Sequence, residues 1–69
     1  MRKQIRQDDY ILITNDKDYR YLQIGKIVEV EYYSHSNDVE SYKVQFNDNI
    51  VVYDYNLEDD CRVLMLERQ

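Results

Sequence analysis

The stretch Tyr42-Lys-Val-Gln-Phe-Asn-Asp-Asn-Ile-Val-Val-Tyr-Asp-Tyr55 constrains the fold more than any other part of the chain. It reads as strand, tight polar turn, strand. Side chains alternate across a strand. Tyr42, Val44 and Phe46 therefore share one face before the turn, and Val51, Tyr53 and Tyr55 share one face after it. Each trio can serve as an inward row. The turn, Asn47-Asp48-Asn49, uses residue types that tolerate positive φ better than other non-glycine residues. Such a hairpin predicts a small antiparallel β domain, but it names no function.

The rest of the chain can be read around it. Tyr10-Ile-Leu-Ile13 predicts a first strand, with Asp8 and Asp9 before it and a polar run from Thr14 to Asp18 after it. A loop with local order follows through Tyr19, Tyr21 and Leu22. Gly25, the only glycine, precedes a second strand over Lys26–Tyr33. There Val28, Val30 and Tyr32 share one face, and Ile27, Glu29, Glu31 and Tyr33 share the other. The acids mark the second face as wet, so Val28 and Val30 are expected inside.

Ser34–Asp38 is a loop by composition. A third strand is expected from about Val39 to Phe46 and a fourth from Ile50 to Tyr55. Asn56–Asp60 predicts one short helical turn with Leu57 tucked inward. A fifth strand is expected over Arg62–Leu66. Helix is the competing reading for residues 62–67, because Leu, Met, Glu and Arg all favour it. There is no proline, repeat or linker.

These elements predict an all-β fold: a five-stranded antiparallel SH3-like small barrel with one short helical turn before the last strand. The domain spans residues 9–67, behind a flexible N-terminal segment, residues 1–8. Rolling the sheet would close most of its edges. The expected core is Ile11, Ile13, Leu22, Ile24, Val28, Val30, Tyr42, Val44, Phe46, Val51, Tyr53, Leu57 and Val63, with Leu64 replacing Val63 in the other register.

Tyr21-Leu22, Gly25-Lys-Ile-Val-Glu-Val30, Tyr42-Lys-Val-Gln-Phe-Asn-Asp48 and the Leu-Glu-Asp turn at 57–59 together resemble Tudor-type domains of the SH3-like barrel class. The likeness spans about residues 10–64 and rests on strand order and a few side chains. It implies an aromatic cage that holds methylated Lys or Arg through cation–π attraction. By position, Tyr21 and Phe46 match two cage residues and Asp48 the acid beside them. Asn15 and Asp16 stand where a further cage aromatic belongs, and Val52 where another belongs, so the cage is incomplete.

Composition narrows the function. The 69 residues make one domain near the lower limit for folding without staples. A single cysteine, Cys61, excludes an internal disulfide and points to a reducing compartment or indifference to redox. No apolar run matches a membrane span and the N-terminus lacks a signal-peptide core, so a cytoplasmic location with no membrane contact is expected. Residues 29–60 carry nine acids against one base, Lys43. That field opposes phosphate, so nucleic acid is not expected as a partner; only Arg2, Lys3 and Arg6, or Lys17, Arg20 and Lys26, favour it.

Catalytic chemistry has little to work with. His35 reads as a loop residue and Cys61 as a small packing residue at a strand start. The two supply no zinc cluster, and a Cys-His pair lacks an orienting group. One glycine cannot build a phosphate loop. Glu58, Asp59 and Asp60 read as a solvated, turn-capping acid run rather than a cation site. No catalytic residue, metal or cofactor is expected, and the chain is not expected to be an enzyme.

What remains is tyrosine and acid. Eight tyrosines exceed what a small core can bury. Exposed Tyr gives large contact area at low entropic cost, although Tyr also serves simply as a soluble β-former. The expected function is a non-catalytic acidic protein-binding module, such as a phage or mobile-element accessory protein, that acts on a basic protein surface. Its partner-binding residues would be Tyr19, Tyr21, Tyr33, Phe46, Asp16, Asp18, Glu29, Glu31 and Asp48. The alternative is a nucleic-acid mimic that inhibits a nucleic-acid enzyme or a defence nuclease, with Glu29, Glu31 and Glu40 as the mimicking charges. A Tudor-like reader of a cationic peptide ranks below both. The chain is expected to be a monomer or a weak homodimer.

Overall fold

A computed structural model describes residues 5–64. They form β1 (Tyr10–Ile13), β2 (Ile24–Tyr32), β3 (Val39–Gln45), β4 (Ile50–Asp54), a one-turn helix α1 (Leu57–Asp60) and β5 (Cys61–Leu64). The strands make one antiparallel sheet in the order β4-β3-β2-β1-β5. Strand is thus the observed state over 61–64; Met65 and Leu66, the rest of the expected fifth strand, lie outside the described residues.

The expected closure of the sheet is not made, since β4 and β5 remain its two edges. The chain passes between them through Tyr55–Asp60 rather than through a ladder. There the Asp54 carboxylate accepts from Asn56 N at 2.8 Å, and two short backbone bonds, Glu58 N to Tyr55 O and Asp59 N to Asn56 O, wind α1. Leu57 projects from that turn into the core, as its place in the sequence predicts.

The hairpin follows its alternation. Tyr42 pairs with Tyr53 and Val44 with Val51. Tyr42, Val44 and Phe46 are buried, Val51 and Tyr53 pack against them, and Tyr55 lies exposed beyond the end of β4. Burying a side chain of Val or Phe size contributes about 1.5–3 kcal/mol, so these inward rows share the stability of the core with Ile11, Ile13, Ile27 and Leu57. The connecting turn needs no positive φ: among the described residues only Asp8 and Leu22 adopt it outside glycine. Asp48 and Asn49 use their side chains there instead.

The second strand departs from a single alternation. Ile27 pairs with Val44 and Glu29 with Lys43, which leaves Val28 as an extra residue in a bulge. A bulge shifts the phase of the strand. Gly25 and Ile27 therefore face inward before it, and Val30, opposite Tyr42, faces inward after it. Ile27 is buried, contrary to the expectation that it shares the wet face. Val28 is only half-buried.

The same phase corrects two core assignments. Ile24 precedes an inward Gly25 and points away, 55 % exposed; Leu22 sits in the preceding loop at φ 66 and is 61 % exposed. Gly25 faces inward because nothing larger fits. A Cβ there would lie 2.5 Å from Val44 Cγ1 and 2.9 Å from the Phe46 ring. The core also takes in Ile5 and Cys61, the latter a free thiol at the start of β5.

Candidate functional site

Arg20 is the one buried charged residue among the described residues, 6 % exposed. The loop between β1 and β2 carries it there by three successive turns. Asp18 N bonds Asn15 O, Tyr21 N bonds Asp18 O, and Gln23 N bonds Arg20 O. The Asn15 and Asp18 carboxamide and carboxylate reinforce these turns, accepting from Lys17 N and Arg20 N. Short polar side chains that bond their own backbone two residues on are well suited to this role.

The guanidinium reaches the turn between β3 and β4. Nη1 donates to Asp48 Oδ1 at 2.6 Å and to Gln23 Oε1 at 3.0 Å, and Nη2 donates to Asn49 Oδ1 at 2.5 Å. Its carbon lies 5.0 Å from the Tyr19 ring centroid and 4.8 Å from that of Phe46. A cation between two aromatic rings beside a carboxylate gains from ring quadrupoles and charge at once. The Arg20 hydrogen bond holds the Asp48 carboxyl below its ordinary value. Nε is buried without a hydrogen-bond partner among the described residues.

Tyr53 extends the cluster. Its ring meets Phe46 edge to face at 6.5 Å, and its hydroxyl donates to Asp18 Oδ1 at 3.4 Å. Burial first, and then the Asp18 charge, push the Tyr53 phenol up. A shallow groove of about 590 Å³ adjoins this cluster, with Gln23, Phe46 and Asn47 among its walls and Tyr10, Leu22 and Ile24 along it.

The residues singled out from sequence thus fall into three places. Tyr19, Phe46, Asp18 and Asp48 come together around Arg20; Tyr21 and Asp16 lie exposed in the same loop. Phe46 is buried beneath the guanidinium, 3 % exposed, whereas Tyr19 is 74 % exposed. Glu29 and Glu31 stand elsewhere and share Lys43, whose ammonium lies 3.2 and 3.4 Å from them. That pair of contacts, Glu29 first, raises the Lys43 pKa.

Tyr33 belongs to the opposite end of the sheet. It lines a hollow of about 270 Å³ with Asp38, Val39 and Tyr55. Tyr32, Tyr33 and Tyr55 are all exposed there, and Tyr33 N bonds Asp38 O at 3.1 Å. Glu40 is the second residue of β3, next to Val39, and Asp54 pairs with Ser41. Tyr32, Tyr55, Asp38 and Asp54 are absent from the sequence-derived set. Their signal was composition at strand ends, which strand alternation does not rank.

Three basic residues among those described are tied within the molecule. Arg20 is buried on Asp48, Lys43 lies between two glutamates, and Lys26 Nζ is 3.8 Å from Asp8 and over the Tyr10 ring. By contrast, Asp16, Asp38, Glu40, Asp54 and Asp59 are exposed and form no ion pair with another described residue. His35 is an exposed loop residue beside Ser34. No helix among the described residues is long and apolar enough to cross a membrane. Comparison with known proteins finds no matching family model, no matching curated protein and no matching solved structure.

Proposed function

We propose that the chain is a non-catalytic protein-binding module, an SH3-like small barrel in kind, that takes a basic protein surface at the end of the sheet formed by residues 32–40 and 54–55. Its strand order, with β5 returning beside β1 after a single helical turn, supports that fold reading. One observation carries the functional reading. Tyr33 and Tyr55 stand exposed around a common hollow with Asp38, and Glu40 and Asp54, both free of ion pairs with described residues, flank it.

Rigid aromatic area supplies contact energy, and unpaired acids supply attraction and orientation toward Lys and Arg. Repulsion by the same acids works against phosphate backbones. The surface has an aromatic centre and a charged surround, and it asks only for binding.

The test is a titration with a lysine-rich and a glutamate-rich peptide, followed by amide chemical shifts. The lysine-rich peptide should move residues 32–40 and 54–55 at low salt and lose most of its affinity near physiological salt. Proteins captured from the native host by the wild type but lost with Tyr33→Ala/Tyr55→Ala would identify the partner. Shifts spread evenly over the molecule, or capture unaffected by the double substitution, would refute the reading.

A further inference from the structure

We propose that the cradle built by Tyr19, Gln23, Phe46, Asp48 and Asn49 is a guanidinium-binding site in its own right, filled by the chain's own Arg20 and able to take an arginine side chain of a partner in exchange. The inference goes beyond the surface at Tyr33 and Tyr55, which lies at the other end of the sheet, and neither needs the other.

Every group in the cradle faces the guanidinium. Two rings lie about its carbon at 5.0 and 4.8 Å, a carboxylate accepts at 2.6 Å, and two amide oxygens accept at 3.0 and 2.5 Å. Three of these groups, Phe46, Asp48 and Asn49, come from the β3–β4 connection, 26 or more residues from Arg20. They stand on a different segment from Arg20, whereas Tyr19 and Gln23 share its loop. Phe46 is anchored against Gly25 and Tyr53.

Arg20, in contrast, hangs from a surface loop, and its buried Nε finds no partner among the described residues. The occupant leaves one of its donors unused, as expected of a tethered side chain that cannot choose its angle of approach. The groove alongside, walled by Gln23, Phe46 and Asn47, gives a second guanidinium a way in.

Hydrogen bonds to both terminal nitrogens fix the ligand class. A planar fork with protons on both is required, so an ammonium satisfies only part of the cradle and terminal methyl groups clash with Asp48 and Asn49. A side chain on a short tether competes at an effective concentration in the millimolar range. Free guanidinium must exceed it, whereas a partner arginine held by neighbouring contacts need not.

The test is Arg20→Ala titrated with methylguanidinium at millimolar concentrations, far below the molar range of guanidinium denaturation. The variant should gain thermal stability, with amide and ring shifts centred on Tyr19, Phe46, Asp48 and Asn49. Methylurea, its neutral counterpart, and tetramethylguanidinium, which lacks the fork of protons, should do nothing. Wild type should show the same shifts with an apparent affinity at least about tenfold weaker, because Arg20 holds the site closed.

Arg20→Ala/Asp48→Asn should lose the response. If Arg20→Ala does not fold, Arg20→Lys keeps the charge and serves as the acceptor for the same titration. Absence of rescue in both variants, equal rescue by methylurea, or rescue that survives Asp48→Asn would overturn the proposal.

Discussion

Arg20 and Asp48, 28 residues apart in sequence, meet through Nη1 and Oδ1 at 2.6 Å and so tie the first loop to the β3–β4 hairpin. The contact is lopsided. The Arg20 side chain is buried, while most of the Asp48 side chain reaches solvent. The energy at stake is therefore mainly the cost of leaving a desolvated guanidinium without its acceptors.

Removing the acid should then hurt more than removing the base. Asp48→Ala leaves Arg20 in the cradle with only amide oxygens and rings, whereas Arg20→Ala removes the buried charge together with its need. Urea unfolding should rank Asp48→Ala as no more stable than Arg20→Ala, and both below Lys43→Ala, whose exposed pairs with Glu29 and Glu31 contribute little. A Lys43→Ala variant less stable than Asp48→Ala would contradict this ranking.

Gly25 should not tolerate a methyl group. A Cβ placed there meets Val44 and the Phe46 ring inside van der Waals distance. Overpacking of this kind costs about 1–3 kcal/mol. Gly25→Ala should lower the urea midpoint accordingly, and loss of the Tyr19 and Phe46 ring shifts would show that the strain reaches the cradle.

Leu22 points the other way. It holds φ 66 with its side chain largely in solvent. An L-residue in that region costs about 1–2 kcal/mol, and glycine returns part of the gain as extra unfolded-state entropy. Leu22→Gly should raise stability by about 0.5–1 kcal/mol; a fall in the urea midpoint would show that the exposed leucine makes an unrecognised contact.

Stability should fall off at both ends of the pH scale, for different reasons. The Asp48 carboxyl in the folded chain titrates below its usual 3.8 because Arg20 donates to it. Its contribution is complete above that value and disappears as pH falls through the lower folded value. At the alkaline end, Tyr53 titrates above its usual 10.0 in the folded chain, through burial and Asp18. Its contribution is complete below pH 10.0 and is lost as pH rises past it. Equilibrium unfolding against pH should show Asp48→Asn flattening only the acid limb and Tyr53→Phe only the alkaline one.

The legible parts of the chain were those where one rule acted alone. β1 lies at Tyr10–Ile13 as expected, and the inward residues of the hairpin follow an unbroken alternation. Leu57 was legible because a lone apolar residue in an acid run has one place to go. β2 was not, because Glu29 and Glu31 favour a single phase with Ile27 outside, and only the bulge between Ile27 and Glu29 lets Ile27 and Val30 both face inward.

The cradle was half legible. Phe46, Asp48 and Tyr19 were singled out, but for contact with an external partner. Arg20 was read only as part of an exposed basic patch with Lys17 and Lys26, since arginine is almost never fully buried and nothing in a polar loop marks the exception. The turn Asn47-Asp48-Asn49 misled in the same way: its residue types suggested positive φ, which it does not use, while its acid and one amide bond Arg20 instead.

Val28 has a meaning of its own. Were it excised, Ile27, Glu29 and Val30 would fall into plain alternation opposite Val44, Lys43 and Tyr42, with no partner changed. The ladder can do without this residue; the bend and added twist that an unmatched residue imparts cannot. In this protein the rule for who pairs with whom and the rule for how the sheet curves are written in different letters, so a shortened chain would keep its partners and lie flatter.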